Sequence, residues 1–400
     1  MTLTDRGNAQ LFATRHRRRF RHVRGLGWFA WDRTHWRQSG APEAALWAAG
    51  EMAEDIVERD PLGAFSPEEL AEHKRYSLST YGLRALLAQA SASPTLTVAP
   101  GALDAEPYEL CTPAGVVDLR TGALRAAEPL TDLHSRVTAV APDLRGTPRW
   151  HQFLDNAFGS DPDGRATTSY VQLMLGYSIT GLVGAQVLPF LQGPGSNGLF
   201  VLETVMRVLG DYADAAYPGF LMERGHGSHR CMEAAELRGR RLIVCSEIRA
   251  DDRIDEAEVR ALTEGSRLRG RRIQRECFSF TPTHHVWLLG NHTPEAAVGG
   301  PAFRRRMRLI PTRRTVAPAL RNDHLVEDLV EQEGAGIIQW LIEGARRYLA
   351  SEDVGREPPA VRDATSAYAS TEDLTRVDPL DSRTYSPGPA VRSGGGTPAR

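Results

Sequence analysis

The stretch Val187-Leu-Pro-Phe-Leu-Gln-Gly193-Pro-Gly195-Ser-Asn197-Gly198 decides the fold. A short apolar run breaks into a loop carrying three glycines, the pattern of a buried strand that feeds a phosphate-binding turn. Such a turn aims its backbone N–H groups inward at a polyphosphate, which demands positive φ at some positions and leaves no room for Cβ atoms at others. Val201-Leu-Glu-Thr-Val-Met-Arg-Val-Leu209 follows with helical spacing, so the loop is expected at a helix N-terminus. A working loop of this kind continues Gly-Lys-Ser/Thr, with the lysine on the β/γ-phosphates and the hydroxyl on Mg²⁺. This chain continues Gly198-Leu199-Phe200. The cradle is present and its two chemical groups are not.

Downstream, Leu242-Ile-Val-Cys reads as a second buried strand with Glu247 just past its end. In a parallel nucleotide-binding sheet the phosphates lie at that end, where a carboxylate can hold Mg²⁺ through water or act as base on an attacking water. A plain surface glutamate is the alternative. His285-Val-Trp-Leu-Leu-Gly290-Asn291 is the third strand, again ending in a polar residue, and Arg304-Arg-Arg306-Met-Arg308-Leu-Ile-Pro311 runs into the fourth. Strands are expected at 187–192, 241–246, 285–290 and 307–311, with Gly198, Glu247 and Asn291 converging on one cleft. Between them, 254–265 reads as a helix, and Arg267, Arg269, Arg271, Arg272 and Arg275 crowd a hairpin tip leading into Cys277-Phe-Ser-Phe280. His284-His285 lacks a third ligand at metal spacing.

Upstream, basic residues at 15–24 sit beside Trp28, Trp31 and Trp36, the alternation of a small hairpin turning at Asp32-Arg33. Single-strand nucleic-acid contact competes there with a solvated strand edge over a satellite core. Helices are expected over 42–56, 66–92, from Trp150, and over 169–177, and a strand-turn-strand over 110–122. Asp161-Pro-Asp163 reads as an N-cap and turn rather than a metal pair. Residues 322–350 carry a helical apolar face, and beyond about 371 the Pro-, Gly- and Ser-rich tail reads as disordered.

The chain has 400 residues, 41% hydrophobic and 24% charged, which suits two or three soluble domains. A net charge of −2 excludes a uniformly basic nucleic-acid binder, so partners must be inferred from local arginine clusters. No apolar run approaches about 18 residues and no signal-peptide pattern opens the chain, which reads as cytoplasmic with no membrane partner. Cys111, Cys231, Cys245 and Cys277 are scattered without a CxxC pair and read as reduced thiols. Lys74 is the single lysine, so no neighbouring lysine can complete the glycine loop.

Gly193 to Gly198, Glu247, the 260–275 segment, Asn291 and Arg304 to Arg306, in this order, resemble the superfamily 3 helicases of the phage/plasmid and poxvirus primase-helicase type. The resemblance spans about residues 100–370 and is supported by Gly115-Val-Val-Asp-Leu-Arg-Thr-Gly122, Leu175-Gly-Tyr177, Leu209-Gly-Asp-Tyr212, Pro282-Thr-His284 and Gly336-Ile-Ile-Gln-Trp340. It implies an α/β fold with an AAA+ type P-loop ATPase core over 165–315. A basic and aromatic segment over 1–60 and a mixed α+β region over 61–164 precede that core, and C-terminal helices over 316–370 and the 371–400 tail follow it.

By similarity Gly193, Pro194, Gly195, Ser196, Asn197, Gly198, Leu199 and Phe200 occupy the nucleotide loop, Glu247 is the Mg²⁺ and water carboxylate, and Asn291 senses the γ-phosphate. Arg305 and Arg306 look like paired arginines of which one serves a neighbouring subunit's site, and Arg267, Arg269, Arg271 and Arg272 match a hairpin that touches DNA. The implied cofactors are ATP and Mg²⁺. The implied partners are DNA, single-stranded or at a fork, further copies in a hexameric ring, and a separate primase or other replication proteins.

The departures lie in the loop and in Arg260-Ala-Leu-Thr-Glu264-Gly265-Ser266, where the family has Lys-x-Leu-Thr-Gly-Gly-Asp. Two readings stand: an ATP-driven helicase, and a relative that binds DNA or joins a ring without hydrolysing ATP.

Overall fold

The computed structural model describes residues 2–56, 64–193, 197–217, 219–222, 236–246, 253–271, 277–291, 295–296, 301–313, 324–351 and 356–375. Its centre is a five-stranded parallel sheet. Expectation and structure agree on four strands: β8 (Leu188–Gln192), β10 (Leu242–Cys245), β14 (His285–Gly290) and β16 (Met307–Pro311). The fifth, β9 (Ala213–Ala215), was not expected. The spatial order is β16-β8-β14-β10-β9, so β8, which carries the glycine loop, lies inside the sheet.

The strands alternate between two buried faces, as the period of two requires. Leu242, Val244, Trp287, Leu191 and Ile310 enter one core with four helices: α5 (Pro148–Phe158), α6 (Pro162–Ile179), α7 (Asn197–Leu209) and α10 (Leu325–Ser351). Ile243, Cys245, Leu288, Phe190 and Leu309 enter the other. That second core also holds Val259 and Leu262 of α8 (Glu256–Thr263), Phe303 of the short α9 (Pro301–Arg304) and Tyr368 of α11 (Pro359–Thr375). Helix α11 lies largely in the span 316–370 given to C-terminal helices and continues to Thr375. It covers the edge strand β16: the Leu309 N–H donates to Thr365 Oγ1 at 3.0 Å, and Arg308 pairs with Glu357 at 2.8 Å. A sheet edge left bare would invite pairing with another chain.

The amino-terminal region holds α1 (Asp5–His16), β1 (Phe20–Val23), β2 (Gly27–Asp32), β3 (His35–Arg37), α2 (Ala41–Glu54), α3 (Pro67–Ser77), α4 (Thr80–Ala90) and β4 (Thr97–Val98). Its sheet has the order β3-β2-β1-β4, and the β2–β3 turn places Arg33 at φ 59°. Trp36, Phe20 and Phe29 are fully buried there. The aromatic alternation therefore marks a core rather than a stacking platform. The basic run around it is also engaged, with Arg15 on Asp55, Arg18 on Glu128 and Arg19 on Glu51, and with Arg21 buried over the Trp36 ring. Strands β5 (Glu109–Thr112), β6 (Gly115–Asp118) and β7 (Ala123–Arg125) form an antiparallel meander over the expected strand-turn-strand.

Two contacts fix this meander and its neighbouring helix to the sheet assembly. Tyr212 OH accepts from the Cys111 N–H at 3.1 Å. Glu333 of α10 accepts from the N–H groups of Arg149 and Trp150 at 3.0 and 2.8 Å, capping α5 where Thr147 makes no side-chain cap. No helix among the described residues is long and apolar enough to cross a membrane.

Candidate nucleotide cleft at the carboxyl edge of the sheet

Because all five strands are parallel, the backbone register decides which loops meet. Gln192 pairs with Gly290 on one side and with Pro311 on the other. Gly193, Asn291 and Thr312 therefore follow at one level, and Ser246 follows β10, the next strand beyond β14. Ligands of open α/β sheets bind outside the carboxyl ends of the strands, so this edge is the candidate site.

Gly193 is there for close approach. A Cβ would collide with the Thr312 hydroxyl and come within 2.6 Å of its carbonyl oxygen. The Thr312 N–H donates to Gln192 O at 2.7 Å, which locks the two strand ends together. Gly198, in the first turn of α7, is equally confined, since a Cβ would lie 2.9 Å from Leu289 and 3.4 Å from Leu191. Neither glycine lies in the left-handed region, so in these two the missing side chain matters rather than the unusual φ. Pro194, Gly195 and Ser196 lie outside the described residues, as does Glu247.

Asn197 is buried, Leu199 is 42% exposed, and Phe200 packs against the core on the helical face. Phe200 is partly buried in that packing, where an aromatic ring gains more than it would facing a polar cleft. Thr204 is buried, its hydroxyl without a partner among the described residues. Arg207 is held on the surface by Glu203 and Glu327, each at 2.9 Å. Neither supplies what the loop lacks. Asn291 is exposed beside the loop.

Arg305 and Arg306 precede β16 and so stand at the opposite, amino edge, about 17 Å from the cleft by the rise of five strand residues. Arg305 is exposed. Arg306 is 9% exposed and turned inward, donating to Glu264 at 2.8 Å, Thr263 Oγ1 at 3.2 Å and Gln186 at 3.3 Å. The structure therefore does not bring either arginine to this chain's own loop. Strands β11 (Arg253–Ile254) and β15 (Glu295–Ala296) form a short parallel pair. The expected arginine hairpin is present: β12 (Leu268–Arg271) pairs antiparallel with β13 (Cys277–Phe280). Arg267 is exposed at its base, whereas Arg272 and the side chains of Arg269 and Arg271 lie outside the described residues.

Two further features were not anticipated. One is Arg313, directly after Thr312. The expectation that polar groups follow each buried strand, applied to β16, would have found it. The other is the cluster of Glu109, Asp132 and His134, whose ligand atoms lie within 4.8 Å of one another. Arg125 already neutralises that cluster, bidentate on Asp132 at 2.8 and 2.9 Å and on Glu109 at 2.8 Å. The bonds from His134 and Arg125 hold the Glu109 carboxyl at about 2, and its place in the meander is structural. Asp161 is an N-cap, as expected, accepting from the Gly164 N–H at 2.7 Å. Burial pushes the Cys111 and Cys245 thiols up to about 12, which leaves both unreactive.

Residues 9–159 match the family described as D5 N terminal like. No curated protein matches the chain. Among solved structures it is similar to apo forms of the NrS-1 C-terminal region. One has TM-score 0.44 and 11% identity, covering 72% of this chain and 64% of that one. Another has TM-score 0.41 and 10% identity, covering 58% and 53%, and a third has TM-score 0.36 and 9% identity, covering 52% and 49%. The chain thus spans between about half and just under two thirds of the length of those chains. The amino-terminal part of this protein is accordingly similar to the D5 amino-terminal region, and a mixed α/β body with a parallel sheet follows it.

Proposed function

We propose that this protein is a DNA-replication factor of the phage-type primase-helicase kind, whose parallel sheet is a P-loop ATPase core of AAA+ type acting on DNA as a hexameric ring. The observation that carries the reading is the register that levels Gly193, Asn291 and Thr312 at one carboxyl edge, downstream of a D5-like region. ATP would lie over that edge, its phosphates on the amides at the start of α7, with Glu247 holding Mg²⁺ or activating water and Asn291 beside the γ-phosphate. Arg305, exposed at the amino edge, would serve a neighbouring copy. The hairpin from Arg267 to Arg272 would contact the DNA backbone, a role that clustered guanidinium groups fill in a salt-sensitive manner.

Leu199 and Phe200 favour a second reading. With Leu199 exposed and Phe200 packed against the core, the loop has neither ammonium nor metal hydroxyl. Loss of such charge stabilisation lowers turnover by about 10²–10³. On this reading the protein binds nucleotide and DNA and hydrolyses ATP feebly or not at all. ATP hydrolysis measured with and without single-stranded DNA separates the two. DNA-stimulated turnover establishes the motor, ATP binding without turnover establishes the non-hydrolysing relative, and absence of ATP binding refutes both.

A further inference from the structure

The cleft is short of positive charge where a polyphosphate needs it. Among the described residues that directly follow the five strands, Gly193, Ser246, Asn291, Ala216-Tyr217 and Thr312-Arg313, only Arg313 is cationic. Its position is fixed from two sides. Thr312 touches Gly193 and is tied to Gln192, and the Arg313 N–H donates to Ala157 O at 2.9 Å in the last turn of α5. With consecutive Cα atoms 3.8 Å apart, the Arg313 backbone stands one residue beyond the contact between Thr312 and Gly193, so its side chain is long enough to reach the glycine loop from its place on Asp161.

The guanidinium is engaged on one nitrogen only. Nη1 donates to both oxygens of Asp161, at 3.0 and 3.2 Å, and Nε and Nη2 have no partner among the described residues. About a third of the Arg313 side chain and half of Asp161 is exposed. Such a pair contributes little to folding, so the arginine is easily drawn to a stronger anion. Asp161 has its own anchor in the Gly164 N–H and stays in place when the arginine leaves.

Resting on the reading of this edge as a nucleotide cleft, the geometry points to Arg313 as the phosphate-binding cation of the site, in place of the lysine missing from the glycine loop, with Asp161 as its resting partner. The ligand class is a nucleoside triphosphate. The planar fork takes two phosphate oxygens through Nε and Nη2 while Nη1 releases or keeps the carboxylate. Binding becomes a competition between Asp161 and the polyphosphate. That competition gives the two residues opposite effects on affinity, which a merely structural ion pair does not.

The test is calorimetric titration of the full chain with ATP, and separately with adenosine. Arg313→Ala should weaken ATP by about tenfold or more, as loss of a charged hydrogen bond does, and leave adenosine unchanged. Arg313→Lys should restore part of the loss. Asp161→Asn keeps an N-cap residue and removes the competing charge, so it should tighten ATP severalfold. Unaltered affinity in Arg313→Ala, when the parent chain binds ATP, overturns this inference and leaves the nucleotide reading standing. Equal weakening by Asp161→Asn and Arg313→Ala also overturns it, by showing that the pair only props the cleft. A parent chain that binds no ATP overturns the nucleotide reading and this inference with it.

Discussion

Along the amino edge of the central sheet, three of the five strands are preceded by large, polar, buried residues: Arg241 before β10, His284 before β14 and Arg306 before β16. Along the carboxyl edge, the residues that follow are small or exposed: Gly193, Ser246, Asn291 and the Thr312-Arg313 pair. The difference separates fastening from function. Arg241, 1% exposed, donates to the carbonyls of Glu106, Pro107 and Glu109 at 2.9 to 3.3 Å and so ties the approach to the meander onto the sheet. Arg238 does the same nearby, pairing with buried Asp104 at 3.0 Å. A chain whose basic residues are almost all arginine thus uses many of them as internal ties, and clustering in the sequence does not by itself mark a nucleic-acid surface.

The largest effect should come from cutting that tie. Arg241→Ala leaves three carbonyls without their donor and a cavity in place of a buried side chain, and should cost about 3–5 kcal/mol in chemical denaturation. Arg241→Met, which keeps the volume and brings no charge, should cost clearly less. A stable Arg241→Ala variant would show that the amino edge is not the fastening edge.

Next in size is a repair of the carboxyl edge. Replacing Leu199-Phe200 by Lys-Ser should raise DNA-stimulated ATP hydrolysis by about 10²–10³, roughly 3–4 kcal/mol of transition-state stabilisation. The exposed Leu199 accepts a lysine without loss, whereas withdrawing Phe200 from the core lowers the melting temperature. Turnover that stays at the parent level would move the defect to the Thr263-Glu264 segment.

The four long strands were legible because each is a short β-branched or apolar run flanked by breakers. The glycine loop, the hairpin of β12 and β13, and the Asp161 cap were legible for equally local reasons. Strand β9, Ala213-Asp-Ala215, has no periodic signal and exists only through its pairing with β10. Helix α11 follows Pro358-Pro359 and was legible only through the resemblance, which implies C-terminal helices over 316–370; its single buried aromatic, Tyr368, gives no strong apolar stripe. Least legible was the fate of the arginines. Arg238, Arg241 and Arg306 differ from Arg267 in what the tertiary fold places opposite them, and no local pattern carries that information.

The amino edge also predicts an acid response. His284 and His285 are fully buried, which lowers them from the ordinary 6.5 to about 3 and about 4. His285 Nδ1 donates to Ser178 O at 3.3 Å, and neither His284 nitrogen has a partner among the described residues. Between pH 6.5 and 4 the unfolded chain binds protons that the folded chain refuses, so this contribution is complete above 6.5 and lost as the pH falls. Each histidine should cost about 2 kcal/mol at pH 5. His284→Leu should therefore recover that much at pH 5 relative to pH 7, whereas Glu109, held at about 2, affects only the range below 4.5. Parallel pH profiles for the variant and the parent chain would refute the assignment.

The smallest expected effect is the most discriminating between the edges. Arg306 donates to Glu264, whose side chain is 36% exposed, and to Thr263 Oγ1, the hydroxyl that also donates to Val259 O at 2.7 Å within α8. Only the Glu264 end of the pair is open to water, so a double-mutant cycle of Arg306→Met and Glu264→Gln should give a coupling of about 1 kcal/mol, reduced at high salt. If Arg306 is a tie like Arg241, breaking the pair loosens α8 against β16 and leaves assembly unchanged. If it is instead the residue that serves a neighbouring copy, Glu264 restrains it, and Glu264→Gln should promote self-association in the presence of ATP. Analytical ultracentrifugation of the Glu264→Gln variant decides this. A larger ATP-dependent assembly than the parent forms would remove Arg306 from the fastening edge, and unchanged assembly would leave Arg305, exposed at the same turn, as the outward-facing member of the pair.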